Sequence, residues 1–189
     1  MAASAPSVAH HPQAAERTIV LVGMMGAGKT AVGRKLAKAL GWRFTDADAA
    51  IETAAGTTIP NIFAEIGEEA FRQSERQVIA RLLRDDRQVL ALGGGAFMDP
   101  QTRALVRERA ISVWLRADLD VLLRRTGRRS NRPLLARGDP RHTLARLLDQ
   151  RGPTYGEADI VVDSGAGPIT EVVGRVLDAL AAVSSESPP

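Results

Sequence analysis

The sequence predicts an α/β fold in which a parallel β-sheet lies between two layers of helices. Short apolar runs of strand length alternate with longer segments of helical periodicity between residues 18 and 183. This alternation is typical of a parallel sheet that is covered on both faces. The first strand also leads directly into a glycine-rich stretch, residues 23–30, that opens the first helix. These two observations predict a three-layer fold with its ligand site at the carboxyl ends of the strands.

Length and composition fit one folded domain. The chain has 189 residues, of which 44% are hydrophobic and 25% are charged, and this size allows a substantial core. We expect a disordered tail at residues 1–16, one folded domain at residues 17–183 and a frayed end at residues 184–189. His10 and His11 in the tail could bind a metal ion, but adjacent histidines in a tail are more often solvated.

Several classes of protein are disfavoured by what the sequence lacks. It has no cysteine, which excludes disulfides and thiolate metal sites and is compatible with a cytoplasmic location. No apolar run is long enough to span a bilayer, and residues 1–16 lack the apolar region of a signal peptide. We therefore expect no membrane partner.

The positive charge of the chain comes mainly from arginine. The formal net charge is +3, and lysine occurs only at Lys29, Lys35 and Lys38. Guanidinium groups suit bidentate contacts with phosphates and carboxylates. Such a chain could also bind a nucleic-acid backbone, but its aromatic content is only 4%. We favour a small phosphate-containing ligand over nucleic acid.

The strongest motif is Gly23-x-x-x-x-Gly28-Lys29-Thr30, which lies between a predicted strand at 18–22 and a predicted helix at 29–40. Glycines let successive backbone amides turn inward around a phosphate, and the helix adds the positive end of its dipole. Lys29 would reach the outer phosphates, and the Thr30 hydroxyl would ligate Mg²⁺. An ordinary glycine turn is the plainer alternative, although every position and both flanks fit the motif. The predicted nucleotide-binding residues are Gly26, Ala27, Gly28, Lys29, Thr30 and Ala31.

Two carboxylates follow the second predicted strand, residues 42–45. Asp46 and Asp48 lie at the carboxyl end of that strand, where open α/β sheets bind ligands. One carboxylate can hold Mg²⁺ and the other can face a hydroxyl group that is to be phosphorylated. We favour Asp46 for the metal and Asp48 for the substrate. Alternatively, either aspartate caps the helix predicted at 49–55.

Further helices are predicted at 58–66 and 68–84, with interruptions at Gly56 and Gly67. Arg72 and Glu75 share a helix face, where an ordinary surface ion pair is the plainer interpretation. A strand at 88–92 then meets three consecutive glycines, residues 93–95. Because such a run is entropically costly, close approach of the backbone to another group is a better explanation than a flexible turn.

The second half continues the alternation of strands and helices. Asp99 and Asp139, each followed by proline, are predicted to begin helices, and the second of these ends at about Arg151. Residues 124–139 are rich in arginine and lack periodicity, which suits a lid that closes over transferring phosphate or, more plainly, a solvated loop. The other predicted elements are strands at 111–115 and 160–162 and helices at 118–126 and 168–183.

Six motifs occur in a specific order: GMMGAGKT, DAD, FRQSE, LGGG, RRTG followed by RPLL, and QRGPTY. In this set the chain resembles the shikimate kinases, P-loop NTPases of the NMP-kinase-like type with a lid, over residues 18–180. The resemblance implies transfer of the ATP γ-phosphate to the 3-hydroxyl of shikimate, a step toward chorismate and the aromatic amino acids. It also implies a Mg²⁺ cofactor and a cytoplasmic monomer whose partners are shikimate and ATP.

The resemblance also implies roles for particular residues. Asp48, Lys29 and Arg132 would be catalytic, Asp48 as the group that meets the substrate hydroxyl and Arg132 as the lid residue over the phosphates. Thr30 and Asp46 would hold Mg²⁺. The carboxylate of shikimate would be bound by Arg72, Arg151, Gly94 and Gly95, and Glu75 would orient Arg72. Phe63 and Phe71 would form walls of the substrate pocket. Arg125 would lie near the adenine of ATP.

The chain departs from the family pattern in two places. Residues 164–167 lack the arginine or glutamine that often lies near adenine, and Arg128 and Arg129 have no assigned role. A gluconate kinase would share the first loop but would not need two arginines for a carboxylate. A guanine-specific switch protein would need an Asn-Lys-x-Asp motif, which is excluded because no lysine follows Lys38.

Overall fold

The computed structural model describes residues 17–85, 87–127, 139–165 and 167–185, with side chains to residue 183. Its five strands form one parallel sheet in the order β2-β3-β1-β4-β5, which confirms the predicted α/β class. The strands are β1 (Thr18–Val22), β2 (Arg43–Asp46), β3 (Gln88–Ala91), β4 (Ala110–Arg116) and β5 (Ile160–Asp163).

Seven α-helices and one 3₁₀ turn, Ala96–Met98, connect or follow these strands within the described residues. Among the same residues, no helix is long and apolar enough to cross a membrane. The helices are α1 (Lys29–Leu40), α2 (Ala47–Ala55), α3 (Ile59–Leu82), α4 (Pro100–Arg109), α5 (Leu119–Thr126), α6 (Pro140–Tyr155) and α7 (Ile169–Ser185).

The core forms around the central strands. All residues of β1 and β3 are buried, and because successive side chains of a strand point to opposite faces, both faces of the sheet must be covered. Helix α1 packs against α7 and β3, whereas α4 packs against β4 and α3. The apolar strand pattern of the sequence therefore corresponds to a sheet buried between helices.

Several predicted boundaries differ from the structure. Helix α6 continues to Tyr155, so the predicted end near Arg151 is wrong, although Gly152 and Pro153 both disfavour helix. Strand β2 is shifted by one residue, α2 begins at Ala47, and α7 extends to Ser185, two residues past the predicted end. The predicted interruption at Gly67 is confirmed, because its φ of 80° and ψ of 172° break the helical geometry inside α3.

Helix α1 lies unusually close to β2 at Gly33. A methyl group on Gly33 would overlap Cε2 of Phe44 and lie 3.0 Å from Cδ2 of the same ring and 3.1 Å from Cδ1 of Leu21. Gly174 in α7 offers a contrast, because a methyl group there would meet nothing within 4 Å.

These two glycines give a matched pair of substitutions. We expect Gly33→Ala to lower the free energy of unfolding by about 1–3 kcal/mol, since overpacking outweighs the gain in helix propensity. Gly174→Ala should instead raise it by about 0.5–1 kcal/mol. Urea denaturation of both variants measures the difference. A Gly33→Ala variant as stable as Gly174→Ala would contradict the close packing of α1 on β2.

Candidate active site

The phosphate-binding loop lies between the central strand β1 and helix α1. Gly23, Gly26 and Gly28 all have positive φ values, of 134°, 83° and 97°, which side chains with a Cβ rarely adopt. Gly28 is the N-cap of α1, so the first helical amides and the positive helix end meet at the loop. The predicted sequence of strand, glycine loop and helix is therefore present.

Lys29 folds back over this loop. Its Nζ donates hydrogen bonds to the carbonyl oxygens of Gly23, at 2.7 Å, and Met24, at 3.1 Å. Burial raises the pKa of nearby Asp48, and the ammonium charge of Lys29 partly offsets this rise. This location suits a cation that contacts the outer phosphates of a bound nucleotide.

Asp46 caps a helix with one carboxylate oxygen and contacts the phosphate-loop helix with the other. Its Oδ1 accepts from the backbone amides of Asp48 and Ala49 and caps α2. Its Oδ2 accepts from the Thr30 hydroxyl at 2.8 Å. Because Thr30 donates its proton to Asp46, the lone pairs of the hydroxyl oxygen remain for a cation. Two oxygen donors fit Mg²⁺, which usually takes its other ligands from water and substrate phosphates.

Four side chains approach the glycine run at residues 93–95. A methyl group on Gly93 would overlap Oδ1 of Asp48 and lie 3.2 Å from Oε1 of Glu75. A methyl group on Gly94 would lie 3.8 Å from Nη1 of Arg151, and one on Gly95 would lie 2.7 Å from Nη2 of Arg72. Close approach of other groups, rather than a flexible turn, therefore explains the run. We call this group of side chains and glycines the acceptor site.

Asp48 lies in the first turn of α2, with its carboxylate beside this run. Burial raises its pKa, and the charge of Asp46 raises it further, while Lys29 and Arg72 lower it. A carboxylate with a raised pKa is a better proton acceptor than an exposed aspartate.

Arg72 is held by a buried partner. Its Nη1 donates to Oε2 of Glu75 at 2.7 Å, and Nη2 lies 3.4 Å from Oε1 of Glu68. Glu75 is only 3% exposed, so the interpretation as an ordinary surface ion pair is wrong. Burial disfavours charge on Arg72, but the hydrogen bond and charge of Glu75 raise the pKa of Arg72. The guanidinium therefore stays charged.

Aromatic rings also border the acceptor site. The rings of Phe63 and Phe71 lie 4.4 Å apart, and the Arg72 guanidinium lies 5.3 Å from Phe71 and 5.9 Å from Phe63. At these distances the faces of the rings attract the positive charge of the guanidinium.

Arg151 reaches the same site from α6. Its Nη1 donates to the Gly94 carbonyl at 2.9 Å, and the Tyr155 hydroxyl donates to the same oxygen. Arg151 and Tyr155 lie on one face of α6 because they are four residues apart. Sequence reasoning gave Tyr155 no role, although this spacing was visible in QRGPTY.

Arg125 connects the phosphate loop with the segment after β5. Its Nη1 donates to the carbonyl oxygen of Ser164 at 3.1 Å, and its Nη2 donates to the carbonyl oxygen of Gly165 at 2.5 Å. Nη1 also lies 3.4 Å from the carbonyl oxygens of Gly26 and Ala27. Burial lowers the pKa of Arg125, as does the charge of Arg124.

Ser164 belongs to the same contact and is 1% exposed. Its hydroxyl donates to the Ala27 carbonyl at 2.7 Å, which fixes the last strand to the phosphate loop. Sequence reasoning noted only what this segment lacks. The available signal was a hydroxyl side chain directly after a strand, at the ligand-binding edge of the sheet.

Part of the predicted site belongs to segments of the sequence beyond those that the structure describes. Arg132, Arg128 and Arg129 lie in residues 128–138, outside the described residues. The same holds for most of the predicted lid at 124–139 and for the predicted tail at 1–16. Their roles stay predictions.

Known proteins resemble the chain over most of its length. The sequence profile of the shikimate kinase family matches residues 25–181. Shikimate kinases from Paramagnetospirillum magneticum and Caulobacter vibrioides are 55% and 53% identical over 164 residues, which cover 87% of this chain and 84% and 82% of theirs. The structure of a shikimate kinase from Acinetobacter baumannii in complex with shikimate has a TM-score of 0.85 and 39% identity, covering 92% of this chain and 96% of that one. The chain belongs to the shikimate kinase family.

Proposed function

We propose that this protein transfers the γ-phosphate of ATP to the 3-hydroxyl of shikimate and forms shikimate 3-phosphate and ADP. The observation that carries the proposal is the convergence of Asp48, Arg72 and Arg151 on residues 93–95. A methyl group on Gly94 would lie 3.6 Å from the Met25 amide nitrogen and 3.8 Å from the Gly23 carbonyl. The acceptor site therefore adjoins the phosphate loop, as direct transfer between the two requires.

Two guanidinium groups explain selectivity for an acidic acceptor. Arg72 comes from α3 and is fixed by Glu75. Arg151 comes from α6 and is fixed by the Gly94 carbonyl. Guanidinium groups bind carboxylates through paired, charge-assisted hydrogen bonds. A neutral sugar or polyol has no negative charge to offer these two guanidinium groups, so it would bind less favourably than an acid of similar shape.

Phosphoryl transfer requires positioning and charge neutralisation more than covalent chemistry. We assign charge neutralisation to Lys29 and to the amides of residues 26–31, and acceptance of the hydroxyl proton to Asp48. Thr30 and Asp46 would hold Mg²⁺, which neutralises charge on the phosphate oxygens when bound. Arg132 would close over the phosphates, and Arg125 would contact adenine.

The proposal extends to the organisation of the protein. Residues 17–183 would form a single kinase domain with a lid at 124–139, and the protein would act as a cytoplasmic monomer. Its partners would be shikimate and ATP, with no nucleic-acid or membrane partner.

A coupled assay of ADP release tests the function directly. We expect ATP- and Mg²⁺-dependent turnover with shikimate, and turnover at least about 100-fold slower with gluconate or nucleoside monophosphates. Both rivals are anionic, but the distance and direction from their anionic group to the acceptor hydroxyl differ from those of shikimate. Comparable rates with gluconate would favour another small-molecule kinase of the same fold. Binding of DNA or RNA without ATP turnover would favour the nucleic-acid alternative instead.

A further inference from the structure

We infer that Tyr155 is a positioning residue of the acceptor site, whose hydroxyl fixes the Gly94 carbonyl and, through it, the guanidinium of Arg151. The inference rests on the proposed function, because it concerns the side chain assigned there to the shikimate carboxylate. Tyr155 itself has no role in the proposed function.

The backbone of α6 shows that the position of Tyr155 is maintained by tertiary contacts. The helix passes through Gly152 and Pro153 before Tyr155. Glycine and proline both disfavour helix, and proline removes one backbone hydrogen bond. This last turn therefore needs stabilisation from outside the helix, and Tyr155, with 0% exposure, supplies it.

The ring of Tyr155 is held in one orientation beside the phosphate loop. It stacks on Trp114 of β4, with ring centroids 5.8 Å apart and an interplanar angle of 25°. Trp114 itself reaches the phosphate loop, since a methyl group on Gly23 would lie 3.3 Å from its Cδ1. A ring fixed in this way gives its hydroxyl a defined position.

That hydroxyl shares an acceptor with Arg151. Tyr155 and Arg151 both donate to the Gly94 carbonyl oxygen. Burial raises the pKa of Tyr155 to about 12, so the hydroxyl keeps its proton and donates throughout the neutral range. A guanidinium has five N–H groups, and fixing one of them on Gly94 orients the others for a carboxylate.

A buried tyrosine hydroxyl needs a hydrogen-bond partner in any protein, so the plainer alternative is a purely structural bond. The two interpretations differ in what removal of the hydroxyl changes. Loss of a structural bond lowers stability alone. Loss of a positioning bond weakens shikimate binding specifically and does so only while Arg151 is present.

Tyr155→Phe keeps the ring, its burial and its contact with Trp114 but removes the donor. We expect the KM for shikimate to rise about tenfold, the effect of one lost hydrogen bond, and the KM for ATP to change less than about twofold. Ser112→Ala is the matched control, because the Ser112 hydroxyl in β4 is also buried and donates a hydrogen bond, to Asp159 at 2.7 Å, but contacts no residue of the acceptor site in the described structure. It should lower the melting temperature and leave both KM values unchanged.

A double-mutant cycle decides between the interpretations. In Arg151→Ala, adding Tyr155→Phe should raise the KM for shikimate less than about twofold further. An unchanged KM in Tyr155→Phe, equal effects on shikimate and ATP, full additivity with Arg151→Ala, or failure of Tyr155→Phe to fold would each overturn the inference. A wild-type protein that neither binds nor phosphorylates shikimate would refute the proposed function as well, so the two failures are distinguishable.

Discussion

Replacement of Arg72 by alanine is expected to lower kcat/KM for shikimate by about 10²- to 10³-fold while ATP binding stays within about twofold of the wild type. The arginine supplies a charged, partly buried contact to the acceptor carboxylate, and loss of such a contact commonly costs about 3–4 kcal/mol. It lies on α3, outside the phosphate loop and α1 that we assign to the nucleotide. Steady-state kinetics with shikimate measures the loss of turnover, and titration calorimetry with shikimate and with ATP shows which of the two ligands binds more weakly.

Arg76 provides a closely matched control for this substitution. It lies one turn further along α3, is 32% exposed against 30% for Arg72, and makes an ion pair of the same length, 2.7 Å, with Asp99. Arg76→Ala should therefore lose a similar interaction without losing turnover. If ATP affinity collapsed in Arg72→Ala while shikimate affinity was unchanged, the role given to Arg72 would be wrong.

Removal of Arg72 also leaves Glu75 buried without its cationic partner. Burial already raises the pKa of Glu75 more than Arg72 lowers it, so the carboxyl group should take up a proton in the variant, at a cost in stability. A double variant with Glu75→Gln has a neutral side chain without the cost of taking up a proton, and it should recover stability but not shikimate turnover. Recovery of turnover would show that the first loss came from misfolding.

The sequence predicts those parts of the fold that depend on local patterns. The bounds of β1 and α1 agree with the structure residue for residue, because the strand, the glycine loop and the amphipathic helix each carry their own signal. The end of α6 does not follow from local pattern. Gly152 and Pro153 indicate a stop, but burial of Tyr155 in the core outweighs their propensity.

The site shows the same division between local and long-range information. The position of Asp46 and Asp48 at the carboxyl end of β2 was predictable, because a strand and the helix that follows it are local patterns. Ser164 and Tyr155 were missed because their partners, Ala27 and Gly94, are 137 and 61 residues away in the chain. A hydroxyl group has no sequence signature for a partner so distant, and only the packed sheet identifies it.

Replacement of Asp48 by asparagine is expected to lower kcat for shikimate phosphorylation by about 10²- to 10⁴-fold, the range for loss of a general base. ATP affinity should change little, because the side chain faces the glycine run rather than the phosphate loop. The acid limb of the pH dependence of kcat/KM should lie above the ordinary pKa of aspartate in the wild type, since burial raises the pKa of Asp48. In the variant this limb should disappear.

The same raised pKa predicts that Asp48→Asn stabilises the protein. A carboxyl group with a higher pKa in the folded than in the unfolded state contributes stability below its unfolded pKa of about 3.9, and this contribution is lost as pH rises through the folded pKa. At neutral pH the ionised Asp48 is therefore unfavourable, and asparagine removes that cost. Urea denaturation should show a higher free energy of unfolding for Asp48→Asn than for the wild type at pH 7, and this difference should shrink as the pH falls. Asp149→Asn is the control, because Asp149 is exposed on α6, and it should show neither effect. Equal stability of the wild type and Asp48→Asn at pH 7 would mean that the carboxylate is not desolvated and that its suitability as a proton acceptor has another origin.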